Sequence, residues 1–187
     1  MLKPVIQTEQ KYKVIYADPP WYFKSYSNKG EGRNATQHYD CMSLDDICNL
    51  PVSNVADKDC VLLMWVTDPC LLDAFKVLES WNFTYKTVGF TWVKTKQKSL
   101  GYFTGMGYWT RSNPEMCLLA TRGKPKRFDK SVRQLVVSER REHSRKPDEV
   151  YGYIEKMLEG PYIELFARTT RKGWDNFGNE VNKFDNI

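Results

Sequence analysis

Tyr12-Lys13-Val14-Ile15-Tyr16-Ala17-Asp18-Pro19-Pro20-Trp21 decides how the rest of the chain reads. Its first six residues are mostly β-branched and aromatic, a strand pattern, and it stops at Asp-Pro-Pro because prolines remove the donors a sheet needs. The four-residue motif therefore sits at the carboxyl end of a strand, where ligands bind in open α/β sheets. Consecutive prolines fix their own φ and push each preceding residue toward extended geometry, so Asp18 and Pro19 are held stiffly. The missing N–H groups leave carbonyls unpaired. A rigid carboxylate beside a rigid carbonyl is an acceptor pair for an –NH2 group, and Trp21 supplies a flat face on which a planar base stacks. Asp-Pro-Pro alone is a common turn opening; its place directly after a buried-type strand is what gives it weight.

Outward from the motif, residues 22–41 are rich in Ser, Asn, Gly and charge and read as a long loop, a type often functional in small domains. Ser43 with Asp46 resembles a capping box that opens a short helix ending near Pro51. Residues 60–66 are a near-continuous apolar run, the signature of a strand buried on both faces. Asp68-Pro69 supplies a helix N-cap and first residue, with Leu71, Leu72, Phe75 and Leu78 as its apolar stripe. Residues 83–93 are strand-like, 94–113 form a second long loop, 116–120 are a buried strand and 132–137 a further strand candidate. Lys146-Pro147-Asp148-Glu149 opens a helix with proline at its first position, and Val150, Ile154 and Leu158 share one face. Residues 162–167 close the set as a strand. This alternation predicts an α/β fold: a mostly parallel sheet with helices on both faces, in one domain over residues 1–187.

Hydrophobic residues make up 41% of the chain and aromatics 14%, enough for a sizeable core, which excludes a disordered or fibrous protein. No run of about 18 apolar residues exists, and the polar start at residues 1–13 lacks a secretory pattern, so a cytoplasmic protein without membrane association is expected. Cys41, Cys48, Cys60, Cys70 and Cys117 are odd in number and contain no Cys-x-x-Cys pair, which reads as free thiols; with His38 and His143 they give no zinc spacing, and no metal is expected. The formal net charge is +5, unevenly spread: residues 122–146 hold ten Lys and Arg against Asp129, Glu139 and Glu142. That stretch suits a polyanion, with a solvated basic face as the alternative.

With these blocks in place the chain resembles the MT-A70 family of N6-adenine methyltransferases, in its prokaryotic or phage branch, over nearly its whole length. The resemblance is carried by Asp18 to Trp21, by His38-Tyr39 before Met42-Ser43-Leu44-Asp45-Asp46-Ile47, by Leu63-Met64-Trp65-Val66-Thr67 and by Thr91-Trp92-Val93-Lys94. Arg140 to Glu149, Ile163-Glu164-Leu165-Phe166-Ala167-Arg168, Gly173-Trp174 and Gly178-Asn179-Glu180 complete it. It implies a Rossmann-like class I methyltransferase fold in permuted order, the catalytic strand first and the cofactor strand near the end. The implied cofactor is S-adenosylmethionine, with Asp18 on its amino group and on the substrate and Lys146 on its carboxylate. Arg168 and Asn179 are then at its ribose, with Glu164 and Glu180 nearby. A catalytic set of Asp18, Pro19, Pro20 and Trp21 follows from the same resemblance. Glu180 stands where the messenger-RNA enzyme often carries glutamine, and the long extensions and zinc fingers of that eukaryotic branch are absent.

The implied reaction is methylation of adenine N6, a poor nucleophile because its lone pair is delocalised into the ring. Hydrogen bonds from its protons to fixed acceptors favour the pyramidal amine and stabilise the charge that develops as the methyl arrives. In relatives two loops frame the substrate, here the segment after Trp21, with Tyr22, His38 and Tyr39, and residues 94–113, with Lys94, Tyr108, Trp109 and Arg111. Interleaved aromatic and cationic residues suit single-stranded or flipped nucleotides. DNA is favoured over RNA as the polymer, although the basic stretch does not discriminate between them. A catalytically silent nucleic-acid-binding subunit is the alternative of another class, opposed by the intact motif. A homodimer is compatible with the sequence and has no signature in it.

Overall fold

A computed structural model describes residues 8–22, 41–107, 109–142 and 144–185. Along the chain lie β1 (Tyr12–Ala17), α1 (Leu44–Cys48), β2 (Ala56–Val66), α2 (Leu71–Ser80), β3 (Thr84–Thr95), β4 (Glu115–Arg122), β5 (Leu135–Glu139), α3 (Glu149–Met157), β6 (Tyr162–Leu165) and β7 (Trp174–Phe177). The strands form one seven-stranded sheet in the order β5-β3-β4-β2-β1-β6-β7. β4 alone among these runs against its neighbours; every other pairing is parallel. The carboxyl ends of β1, β3 and β6 thus share one edge with the amino end of β4.

Alternation along the central strands divides the core into two layers. Ile15, Ala17, Leu62, Met64 and Val66 meet Ile47 of α1 and Ala74, Val77 and Leu78 of α2 on one face. Val14, Tyr16, Val61, Leu63 and Trp65 meet Val150, Tyr151 and Ile154 of α3 on the other. A strand covered on both sides needs apolar side chains at every position, which is why β2 reads as a continuous run.

Helix starts follow local chemistry. Ser43 accepts the Asp46 N–H at 3.1 Å and donates to Asp46 Oδ2 at 2.7 Å, closing the expected cap of α1. Asp68–Cys70 forms a 3-10 turn before α2, so Asp68 does not cap the α-helix itself. The stripe is also different from the one expected: Leu72 is 78% exposed and Phe75 is exposed, while Ala74 and Trp81 are buried. The small Ala74 lets the helix approach the sheet, and side-chain size alone points to the wrong face. α3 begins at Glu149, and Asp148 does not cap it through its side chain because that carboxylate is held by Arg141 at 2.6 Å.

The last strand pair departs most from expectation. β6 ends at Leu165 because Phe166 turns to φ 63°, a left-handed conformation that breaks the ladder. β7 is an additional parallel strand beside it, too short for alternation to reveal. All five cysteines are free thiols: Cys60, Cys70 and Cys117 are buried, Cys41 and Cys48 half-buried. Among the described residues no helix is long and apolar enough to cross a membrane.

Candidate active site

Asp18 follows the last residue of β1 and stands at the shared edge. Lys146, in the segment entering α3, donates to Asp18 Oδ2 at 2.7 Å and lies 3.4 Å from Glu115 Oε2. Glu115 opens β4, and its other oxygen accepts from Lys94 Nζ at 2.5 Å. Four charges of alternating sign therefore run across the edge from Asp18 through Lys146 and Glu115 to Lys94, all largely buried. Burial raises the Asp18 carboxyl above its ordinary range, against the lowering by the Lys146 ammonium. For Glu115 burial also pushes upward, but two ammoniums overcome it and hold the carboxyl down at about 2. No motif in the sequence marks Glu115 as a site residue; a charged residue abutting a buried strand is the one signal for it. It reaches the edge because β4 is reversed.

Two chambers adjoin Asp18. The larger, about 790 Å³ and open to solvent, is lined by Asp18, Pro19, Pro20, Met42, Ala167, Phe177, Gly178, Asn179 and Glu180, among others. The smaller is lined by Tyr16, Lys146, Asp148, Tyr151 and Glu164, among others. Ser144, Phe166 and Arg168 line both, and Ser144 and Phe166 are both left-handed, at φ 63° each. Non-glycine residues in that conformation cost about 1 kcal/mol or more and recur at ligand clamps.

Glu164 on β6 is 6% exposed and takes the Tyr151 hydroxyl at 2.9 Å on each oxygen. Burial lifts its carboxyl to about 8. Arg168 meets Glu180 at 3.1 Å and lies over Phe184. Gly178 packs against the turn after β6: a Cβ there would stand 2.5 Å from the Ala167 carbonyl oxygen. That close approach brings Asn179 and Glu180 into the larger chamber, while Glu164 faces the smaller one.

Two expectations for the motif are corrected. Trp21 is 5% exposed, and its indole N–H donates to the Trp65 carbonyl at 2.9 Å, so it packs in the core and presents no face for stacking. The proline carbonyls are not unpaired: Pro19 accepts from Trp21 N–H at 2.8 Å and Pro20 from Met42 N–H at 3.0 Å. Each retains only its second lone pair. Tyr22 beside them is exposed, as is Trp109 at 91%; Arg111 is exposed and donates to the Gly107 carbonyl. His38, Tyr39 and Tyr108 lie outside the described residues.

The basic stretch is also not one surface. Arg140, Arg141, Arg145 and Lys146 follow β5 at the site's edge, with Arg140 stacked on Phe103 at 4.4 Å. Lys124 to Arg133 follow the carboxyl end of β4, which lies at the opposite edge because that strand is reversed.

A family model described as MT-A70 matches residues 12–180. The chain is 38% identical over 190 residues to the type II methyltransferase M.MunI of a Mycoplasma species, covering 92% of this chain and 78% of that one. It is 35% identical over 176 residues to a putative N(6)-adenosine-methyltransferase MT-A70-like protein of Medicago truncatula, covering 91% of this chain and 26% of that one. With the METTL3 catalytic subunit of the human N(6)-adenosine-methyltransferase it shares 31% over 176 residues, 91% of this chain and 28% of the subunit.

Proposed function

The chain belongs to the MT-A70 family, and from that membership we propose that it transfers the methyl group of S-adenosylmethionine to the exocyclic N6 of adenine in DNA. The observation that carries the reading is the position of Asp18, a stiff carboxylate at the carboxyl edge of the sheet, lining both chambers and paired with Lys146. DNA is taken as the polymer because the match that runs over most of both chains is to a type II methyltransferase. In the eukaryotic adenosine-methyltransferases the chain spans only about a quarter of the length.

The donor set suits the cofactor. A methionine zwitterion needs one cation and one anion side by side, and Lys146 and Asp18 are 2.7 Å apart. Lys146 would hold the carboxylate, Asp18 the amino group, and Asn179 and Glu180 the ribose hydroxyls, with Arg168 between the chambers. When bound, S-adenosylmethionine supplies an electrophilic methyl on a positively charged sulfur. Asp18, with the second lone pair of a proline carbonyl, accepts hydrogen bonds from N6 and orients its lone pair toward the methyl. The same contacts stabilise positive charge developing on the amine. The raised basicity of the buried Asp18 carboxylate suits it to receive the departing proton. Stacking falls to Tyr22 and Trp109, since Trp21 is packed. We read the sheet as a Rossmann-like methyltransferase fold in permuted order, β1 catalytic and β6 cofactor-binding, which the six co-directional strands support. With DNA as the substrate, a cytoplasmic location beside a bacterial or phage genome fits this reading.

Labelled-methyl transfer to matched DNA and RNA, single- and double-stranded, followed by nucleoside identification, tests the reading. N6-methyladenine in DNA is the expected product. Label confined to RNA overturns the polymer, and no label in either despite calorimetric binding of the cofactor overturns autonomous catalysis.

A further inference from the structure

The far edge of the sheet carries a concentration of charge that the site does not use. Lys124, Lys126, Arg127, Lys130 and Arg133 are all exposed, and among the described residues none of them is in an ion pair. Asp129, the one acid between them, is already turned onto Ser131 and Lys156. Packing fixes the segment: Phe128 N–H donates to the Met157 carbonyl at the end of α3, and Val132 lies against the core. Five exposed cations without an ion pair among the described residues, with the Asp59 carboxylate on the Lys124 N–H as the further acid beside them, set up a positive field that attracts a polyanion.

The path from this edge to the site is also marked. β5 is an outer strand, with Arg133 two residues before it and Arg140 directly after it, at the catalytic edge. Its outward Leu135 and Val137 are exposed and carry no acid, so a phosphate backbone running along this flank meets Glu139 as the first negative charge. β5 pairs only with Thr91 to Thr95 of β3 and flanks the part nearest the catalytic edge, whereas β4 runs from Glu115 at the site to Arg122 at the far edge, and the seven steps between its eight residues at about 3.3 Å give roughly 23 Å. At about 3.4 Å per base pair that is roughly seven base pairs of DNA.

We propose that Lys126, Arg127, Lys130 and Arg133 form a second DNA-contacting surface, which holds the backbone about seven base pairs to one side of the target adenine along the β5 flank. This rests on the reading that the substrate is DNA. The surface supplies affinity without sequence information, since it contacts phosphates and no base.

The test is the salt dependence of DNA binding by the full chain and by a Lys126→Gln/Arg127→Gln/Lys130→Gln/Arg133→Gln variant. On a 30-base-pair duplex the variant's slope of log K against log salt should be shallower by roughly three to four, about 0.9 per lost phosphate contact. Lys126→Arg/Lys130→Arg, which keeps the charge, should retain the wild-type slope. On duplexes ending within about four base pairs of the target on both sides, the two slopes should coincide, because the DNA no longer reaches the far edge. Cofactor affinity by calorimetry checks that the variant is folded. Equal slopes on the long duplex overturn the surface even if wild type methylates DNA normally. Failure of wild type to methylate DNA overturns the functional reading and leaves the slopes to decide the surface separately.

Discussion

Asp18 is pulled in two directions, by a buried position that disfavours its charge and by an ammonium 2.7 Å away that favours it. The balance leaves a carboxylate more basic than usual in a place where an amine must lose a proton. Asp18→Ala is expected to reduce methyl transfer by at least about 100-fold, the scale for removing a fixed electrostatic contact. Folding should survive, because Lys146 keeps Glu115. A variant retaining a tenth of wild-type turnover would remove Asp18 from the chemistry. Glu164 is raised much further, to about 8. A carboxyl with a raised folded pKa contributes stability fully at low pH and loses it as pH rises through that value. Urea midpoints of Glu164→Gln should therefore gain on wild type from about pH 5 to about pH 8; a constant difference across that window would show that Glu164 titrates normally. Asp18 is legible in the sequence because rigid prolines leave a local mark, whereas Lys146 is pointed to by the family resemblance, with which its place at a helix entry is compatible. Glu115 is not, since nothing in its own neighbourhood says that its strand is reversed.

At the level of elements, the turn between β6 and β7 controls the cofactor side of the site. Phe166 is held left-handed, and Gly178 passes so close to Ala167 that no side chain fits between them. Gly178→Ala should force the end of β7 outward and displace Asn179 and Glu180. We expect a stability loss of about 1–3 kcal/mol by overpacking, with S-adenosylmethionine affinity weakened about tenfold or more by calorimetry. Unchanged affinity would mean that the ribose contacts are elsewhere. The central strands are readable because burial on both faces writes a continuous apolar run. β7 is hidden by its four residues and outer position, and the stripe of α2 is read only in part because Leu78 faces the sheet as expected while the small Ala74, rather than Leu72 or Phe75, fills the face beside it. β6 stops two residues short of the expected Ala167 because a left-handed phenylalanine has no sequence signal.

For the whole molecule, the sheet order assigns separate duties to separate regions. β3 and β4 are antiparallel neighbours joined at the catalytic edge by residues 96–114, in which Leu100 is 99% exposed. Asn113 closes the base of this excursion, accepting the Lys94 N–H at 3.0 Å and donating back to the Lys94 carbonyl at 2.9 Å. Replacing residues 97–111 by a two-residue Asn-Gly turn should leave cofactor affinity within about twofold while lowering kcat/KM on DNA by at least about 100-fold, the scale of lost positioning. A variant that methylates DNA at the wild-type rate would show that the excursion plays no part in holding the substrate. The α/β character and the carboxyl-edge site follow from strand and helix alternation. The split of the basic stretch between two edges does not, because charge along a sequence carries no direction and only the reversed strand reveals it.

That reversed strand has a further consequence. Because β4 returns beside β3, the excursion enters and leaves the sheet at adjacent points, where Asn113 ties Lys94 to the Phe103 carbonyl and Phe103 N–H returns to Lys94. Beyond that anchored base the segment is in effect a cassette: its length and content are free to drift without shifting Asp18, Lys146 or the register of any strand. Relatives that share the catalytic edge are free to diverge here first, and a new target preference is most directly sought by grafting this segment from one of them onto an otherwise unaltered chain.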